Sequence, residues 1–76
     1  MSRWRPEEPI NQHICHRVRE RRKALKISQK ALARTLGVSW QQMLKYEQGS
    51  SIISAAKLYV LAHQLGVPVT WFYQGL

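Results

Sequence analysis

The chain has 76 residues, enough for one small domain, and such a domain buries only about 60% of the surface that its unfolded chain exposes. Its apolar runs fall far short of the roughly 20 residues of a membrane span, and the N-terminal MSRWRPEEP has no apolar signal core. The net charge is +8, and the four acids form no obvious acid–base pair, so an enzyme is not expected.

The first predicted elements are an arm and a long helix. Residues 1–9 contain Pro6, Pro9 and mixed charges, which predicts a flexible N-terminal arm before one domain over 10–76. Apolar residues then recur at helical spacing and predict a first helix over roughly 10–25. That stripe is Ile10, Ile14, Val18 and Leu25.

Two short amphipathic helices follow, over about 29–36 and 40–48, with a tight glycine turn between them. Ser28 and Ser39 can cap their first turns, each hydroxyl accepting a free backbone N–H. Gly37 and Gly49 stand where a left-handed residue ends a helix. The pattern predicts both ends of each helix.

The C-terminal third predicts two more helices. Ser54 can cap a fourth helix, which Gly66 ends, and Pro68 suits the first turn of a short fifth helix, VTWFYQ. No segment alternates with the period of two that a strand requires. The predicted fold is all-α, with five helices around one core. The apolar stripe of the fourth helix is Leu58, Leu61, Ala62 and Leu65.

Positive charge is concentrated in the middle of the chain, and after Tyr46 the only basic residue is Lys57. A one-sided basic surface attracts a phosphate backbone, although a solvated, solubilising face is the alternative interpretation. The basic residues between 17 and 45 are Arg17, Arg19, Arg21, Arg22, Lys23, Lys26, Lys30, Arg34 and Lys45.

The stretch SQKALARTLGVSWQQMLKYEQG resembles the helix-turn-helix of the Cro/C1-type (XRE-like) family of bacterial and phage repressors. The resemblance extends over roughly residues 10–75. It implies a five-helix, lambda-repressor-like domain that binds double-stranded DNA in the cytoplasm of a bacterial or phage-infected cell. Such a regulator, expected to be a repressor, places its third helix in the major groove and binds a near-palindrome as a homodimer. The matching residues are Arg22, Gln29, Leu32-Ala33, Leu36-Gly37-Val38-Ser39, Tyr46-Glu47, Gly49, Leu58, Leu61-Ala62, Leu65-Gly66-Val67-Pro68-Val69 and Trp71-Phe72.

The third helix is the predicted recognition helix. With Met43 facing inward, a spacing of about 100° per residue turns Gln41, Lys45 and Gln48 outward. Glutamine can pair with adenine and lysine with guanine, whereas plain surface polarity is the alternative. For the first residue of the helix the alternative is packing against the end of helix two. By resemblance, the predicted base contacts are Trp40, Gln41, Gln42 and Lys45.

Phosphate contacts are expected mainly around the second helix. In the resembled family its first glutamine, here Gln29, binds a phosphate together with backbone N–H groups. Relatives carry glycine where this chain has Lys26, so we expect a left-handed lysine there. The predicted phosphate contacts are Ser28, which is first a cap, Gln29, Lys30, Arg17, Arg34 and Gln48.

Two charges fall on the apolar sides of their helices. Glu47 lies about 40° from the inward direction of the third helix, and Arg22 about 40° from that of the first. A buried carboxylate needs a partner, and relatives pair an arginine with a glutamate here. We therefore predict an Arg22–Glu47 ion pair that ties the recognition helix to the first helix.

The C-terminal VTWFYQGL is rich in aromatic residues, and relatives use this end for dimer contacts. We expect Trp71 in the core and Val69, Tyr73 and Leu76 in a dimer interface. The alternative is that all four fill the core.

Two further features of the sequence allow other interpretations, a metal site and a protein-binding module. His13, Cys15 and His16 share one helix, but zinc-site spacings are absent, so a solvent-facing surface, no metal and no cofactor are expected. The alternative function is an antitoxin-like module that binds a partner protein and its own promoter, through an apolar patch near 69–76 or in the arm. A membrane-surface helix is not expected, because Arg22 interrupts the apolar stripe.

Overall fold

The computed structural model describes residues 7–76, and helices are the regular elements of this range. Four α-helices are followed by one short 3-10 helix: α1 (Glu7–Ala24), α2 (Gln29–Leu36), α3 (Trp40–Gln48), α4 (Ala55–Leu65) and the 3-10 helix Val69–Tyr73. The predicted all-α class is confirmed. None of the helices in this range is long and apolar enough to cross a membrane.

The predicted fifth α-helix is wrong in type. Between Pro68, which precedes the element, and the extended Gln74 there are only five residues. That length favours i→i+3 bonds: the amide of Trp71 donates to the Pro68 carbonyl at 2.9 Å, and that of Gln74 to the Trp71 carbonyl at 3.3 Å. Pro68 stands at the N-cap and not in the first turn, where it was expected.

The first helix begins earlier than predicted. It starts at Glu7, so residues 7–9 of the predicted arm are helical, and residues 1–6 lie outside the described residues. Pro9 is compatible with this start because the first N–H groups of a helix have no intrahelical partner. Glu7 and Glu8 lie in the first turn, where the positive end of the helix dipole stabilises their negative charges.

The inward face of α1 also differs from the predicted stripe. Its buried residues are Cys15, Val18 and Arg22, which follow one another at three- and four-residue spacing. Ile10 and Leu25 are 39% and 40% exposed. They lie near the two ends of α1, where less of the core covers them.

The predicted caps are confirmed at both ends of the helix pair. Ser28 Oγ accepts from the Ala31 amide at 3.0 Å, and Ser39 Oγ accepts from the Gln42 amide at 3.0 Å. Gly37 ends α2 in the left-handed conformation, with φ 76°. These local bonds fix where α2 stops and α3 starts, and so orient α3 relative to α2.

Lys26, between α1 and α2, has the predicted left-handed backbone, with φ 59°. The turn is closed by the amide of Ile27, which donates to the Arg22 carbonyl at 3.1 Å. Lys26 is the one residue other than glycine with positive φ among residues 7–76. A lysine here costs on the order of 1 kcal/mol relative to a relaxed backbone.

The core lies where the four α-helices and the 3-10 helix meet. Phe72 is fully buried and takes the central place expected of Trp71, which is only partly buried against the cluster. Ile53 is buried in the core, whereas its neighbour Ile52 is 73% exposed. The largest fully buried side chains are Phe72, Met43, Leu61, Leu65, Val18 and Cys15.

Candidate nucleic-acid interface

The third helix, α3, presents the polar face that the helical spacing predicts. Met43 and Tyr46 are buried in the core. On the opposite side the exposed residues are Gln41, Lys45 and Gln48, while Trp40 is exposed at the N-terminal end of the helix and Gln42 is half-buried. Glu47, the only acidic residue of α2 and α3, is buried, so the exposed face of this helix pair carries no negative side chain.

A buried ion pair joins α3 to α1. Arg22 donates from Nε to Glu47 Oε2 at 2.6 Å and from NH2 to Glu47 Oε1 at 3.0 Å. The remaining guanidinium nitrogen, NH1, donates to the Ile27 carbonyl at 2.9 Å. This fork geometry is the strongest form of an arginine–carboxylate contact, and it confirms the predicted pair.

Gln29 extends this pair to the start of the recognition helix. Its amide nitrogen donates to Glu47 Oε1 at 2.9 Å, and its amide oxygen accepts from the indole nitrogen of Trp40 at 3.4 Å. Both ends of the Gln29 amide are therefore bonded within the protein. The chain Arg22–Glu47–Gln29–Trp40 links α1, α2 and α3.

Trp40 rests against the beginning of α2, and not against the end of that helix, which was the alternative to base contact. The ammonium of Lys30 lies 4.7 Å from the centre of the Trp40 ring. The indole is nevertheless 43% exposed. One side of Trp40 is thus fixed by protein contacts while another faces solvent beside Gln41.

The predicted phosphate contacts on α2 lie at its surface. Ser28 uses its hydroxyl as the helix cap, and Lys30 and Arg34 are exposed. With Lys45 on α3, these side chains make the surface of the helix pair basic. Such a surface is electrostatically suited to the phosphates that flank a groove.

Arg17 is placed elsewhere, and the geometry does not support its predicted phosphate contact. Its Nε and NH2 atoms donate to the Trp71 carbonyl at 3.3 and 2.9 Å. Its guanidinium lies 3.5 Å from the centre of the Trp71 ring. Arg17 therefore holds the 3-10 helix against α1. No local pattern pointed to this role, because the two residues are far apart in sequence.

The C-terminal residues proposed for dimer contact divide between core and surface. Val69 packs partly against the core, whereas Tyr73 and Leu76 are 42% and 64% exposed. The alternative that all of them fill the core is wrong for these two. The neighbouring Tyr59 of α4 is also exposed.

The histidine and cysteine cluster of α1 does not form a site. A solvent-facing surface was expected here, but Cys15 is buried. Its thiol lies 3.7 Å from Asn11 Oδ1. Burial raises the pKa of the Cys15 thiol to about 11, which keeps it protonated and unreactive near neutral pH. His13 instead contacts the Gln74 carbonyl at 2.7 Å. Among residues 7–76 no cluster of three or more His, Cys, Asp or Glu could hold a metal ion.

A capped helix pair with a tight turn, an exposed polar second helix and a basic surround define a helix-turn-helix DNA-binding unit. A family model described as a helix-turn-helix domain matches residues 16–76. The chain belongs to this helix-turn-helix family, and within it resembles the Cro/C1-type regulators.

Curated relatives agree with this assignment. The chain is 48% identical over 67 residues, 88% of its length, to an uncharacterized transcriptional regulator in the ATPase CF(0) region of Rhodospirillum rubrum. It is 35% identical over 68 residues, 90% of its length, to the regulator DicA of Escherichia coli. The chain spans 62% and 50% of these two relatives.

A solved structure has the same fold. An HTH_3 family transcriptional regulator from Vibrio cholerae superimposes with a TM-score of 0.75 at 26% identity. The match covers 86% of this chain and 36% of that one. The shared fold therefore accounts for about a third of that regulator.

Proposed function

We propose that the chain binds double-stranded DNA sequence-specifically, with α3 in the major groove, and represses transcription in the bacterial cytoplasm. The observation that carries the proposal is the exposed polar face of α3, held in place from behind by the buried Arg22–Glu47 pair. A rigid support of this kind lets side chains meet base edges in one register.

The proposed base contacts are those at the start and outer face of α3. Gln41 can make a bidentate pair with adenine, and Lys45 can reach guanine O6 and N7. Gln42 contributes from the flank of the helix. Trp40, fixed by Gln29 and Lys30, offers an apolar surface for a thymine methyl or a sugar.

The proposed backbone contacts surround this face, at Ser28, Gln29, Lys30, Arg34 and Gln48. Lys30 and Arg34 are exposed and supply charge. Because the Gln29 amide is bonded to Glu47 and Trp40, its phosphate contact would use the free backbone N–H at the start of α2. Gln29 would then bind DNA and position Trp40 at the same time.

The proposed active form is a homodimer with contacts at Val69, Tyr73 and Leu76. Two-fold symmetry would place two recognition helices about 34 Å apart, on a near-palindromic site. The exposure of Tyr73 and Leu76 leaves them accessible to a second copy. Because the chain spans about half to two thirds of the relatives compared, further contacts in a longer protein would add to this interface.

The test is the sequence preference of variants in α3. Gln41→Ala and Lys45→Ala should each relax the preference at one position of each half-site, by about 1–3 kcal/mol of discrimination. Gln64→Ala, an exposed glutamine on α4, is the matched control and should leave the preference unchanged. Selection of random duplexes by each variant measures this. An unchanged preference in both α3 variants would contradict the proposed readout.

A further inference from the structure

A polar cleft opens between α1 and α3, beside the recognition surface. It has a volume of about 180 Å³ and is lined by Arg19, Gln29, Leu44, Glu47 and Gln48. Four of these five side chains carry polar groups. The cleft adjoins the buried Arg22–Glu47 pair, because Glu47 is both a member of the pair and part of the cleft wall.

The carboxylate in the cleft wall does not make the cleft negative. Glu47 Oε1 accepts from Arg22 and Gln29, and Oε2 accepts from Arg22, so its charge is compensated within the protein. Arg19 then adds a positive charge that the pair does not balance. The local sum of Arg19, Arg22 and Glu47 is one positive charge, which favours an anion.

Arg19 differs from the other arginines of α1 in having no protein partner for its side chain. Within residues 7–76, Arg17 is bonded to Trp71, Arg21 to Leu65 and Arg22 to Glu47, whereas the exposed Arg19 makes no such bond or ion pair. The nearest acid in sequence, Glu20, lies beside Arg17 at 3.9 Å and His16 at 3.6 Å. The guanidinium of Arg19 is therefore available to a ligand.

We propose that this cleft binds one phosphate group of the DNA backbone, with Arg19 supplying the charge and Gln48 a polar contact. The inference rests on the proposed function, and it replaces Arg17 by Arg19 as the arginine of α1 that meets DNA. A helix in the major groove is flanked on both sides by phosphates. The cleft borders α3 on its α1 side, where one of these backbones would pass.

The first experiment measures the salt dependence of binding to a short duplex of mixed sequence. One phosphate contact contributes about 0.9 to the slope of log K against log salt concentration. Arg19→Gln should lower the slope by about that amount and weaken binding roughly tenfold near 50 mM salt. Arg19→Lys should keep the slope, because it keeps the charge. Circular dichroism at the assay temperature checks that each variant is folded.

Arg21→Gln is the matched control. It removes the same charge from the same helix, about 200° around the axis, where Arg21 Nε faces the Leu65 carbonyl at 2.9 Å. Its slope should equal that of the wild type. An unchanged slope in Arg19→Gln would overturn the inference, because Arg19 would then neutralise no phosphate. An equal decrease in both variants would also overturn it, because the slope would then depend only on the net charge of the protein.

A second experiment locates the phosphate. Single phosphates of the duplex are replaced in turn by neutral methylphosphonates, and each duplex is bound by the wild type and by Arg19→Gln. At one phosphate per half-site, the losses of binding free energy caused by the methylphosphonate and by Arg19→Gln should not add. Both changes remove the same contact at that position. Additivity at every position would overturn the inference while leaving DNA binding intact. Failure of the wild type to bind any duplex would instead overturn the proposed function, and this inference with it.

Discussion

At the scale of single residues, the interface depends on one buried ion pair and the side chains attached to it. Arg22 and Glu47 are each 8% exposed, so removing either side chain would leave the other buried without its ion-pair partner. The same carboxylate binds Gln29, which in turn holds Trp40. Removing the carboxylate would therefore affect both the stability of the fold and the position of Trp40, the first of the proposed base contacts.

We predict that Glu47→Ala lowers the free energy of unfolding by roughly 3–5 kcal/mol, because it leaves the Arg22 guanidinium buried without a partner. Urea denaturation measures the loss. Glu47→Gln keeps the shape of the side chain and should lower the free energy of unfolding by less. Glu20→Ala is the control: its side chain is 50% exposed, and an exposed pair contributes at most about 1 kcal/mol. Equal stabilities of Glu47→Ala and Glu20→Ala would contradict an architectural role.

The sequence allowed some of these contacts to be predicted and not others. Arg22 and Glu47 could be paired because each lies on the apolar side of its own helix, and that conflict is visible in helical spacing alone. The Gln29–Trp40 bond and the Arg17–Trp71 contact depend on how side chains of different helices meet. Arg17 and Arg19 look alike in sequence, and only tertiary packing separates a structural arginine from a free one.

At the scale of elements, the caps of α2 and α3 were predictable from the sequence, whereas the start of α1 and the 3-10 type of the last helix were not. Ser28, Ser39 and Gly37 act through bonds to neighbours three or four residues away, so their roles are encoded locally. The start of α1 was missed because Pro9 suggested an arm, although a first turn tolerates proline. The 3-10 type was missed because the pattern did not show that the chain becomes extended at Gln74, which leaves only five residues after Pro68.

The left-handed Lys26 gives a prediction for the α1–α2 turn. Lys26→Gly should raise the free energy of unfolding by about 0.5–1 kcal/mol, because glycine adopts positive φ without the steric cost. Thermal unfolding should show a midpoint several degrees higher. Lys26→Ala removes the same charge but keeps a Cβ at positive φ, so it should bring no gain in the free energy of unfolding. A gain of equal size in both variants would assign the effect to charge and not to the backbone.

At the scale of the whole molecule, charge and fold point to the same surface. The net charge of +8 is carried mainly by residues 17–45, which include the C-terminal part of α1, all of α2 and most of α3. The single acid of that helix pair is buried. The all-α class was predictable because helical periodicity and caps agreed along the chain. The exposure of Tyr73 and Leu76 was not predictable to the same degree, because it depends on which aromatic residue enters the core.

The most direct test is fluorescence anisotropy with duplexes selected from a random pool, titrated from 50 to 200 mM salt. A sequence-specific regulator should enrich a near-palindrome whose half-sites are one helical turn apart, about 34 Å, and bind it far more tightly than unselected DNA. Log K should fall linearly with log salt concentration, by about 0.9 for each phosphate neutralised. Salt-dependent binding without any enriched sequence would contradict the account, because it would leave a basic surface and no readout by α3.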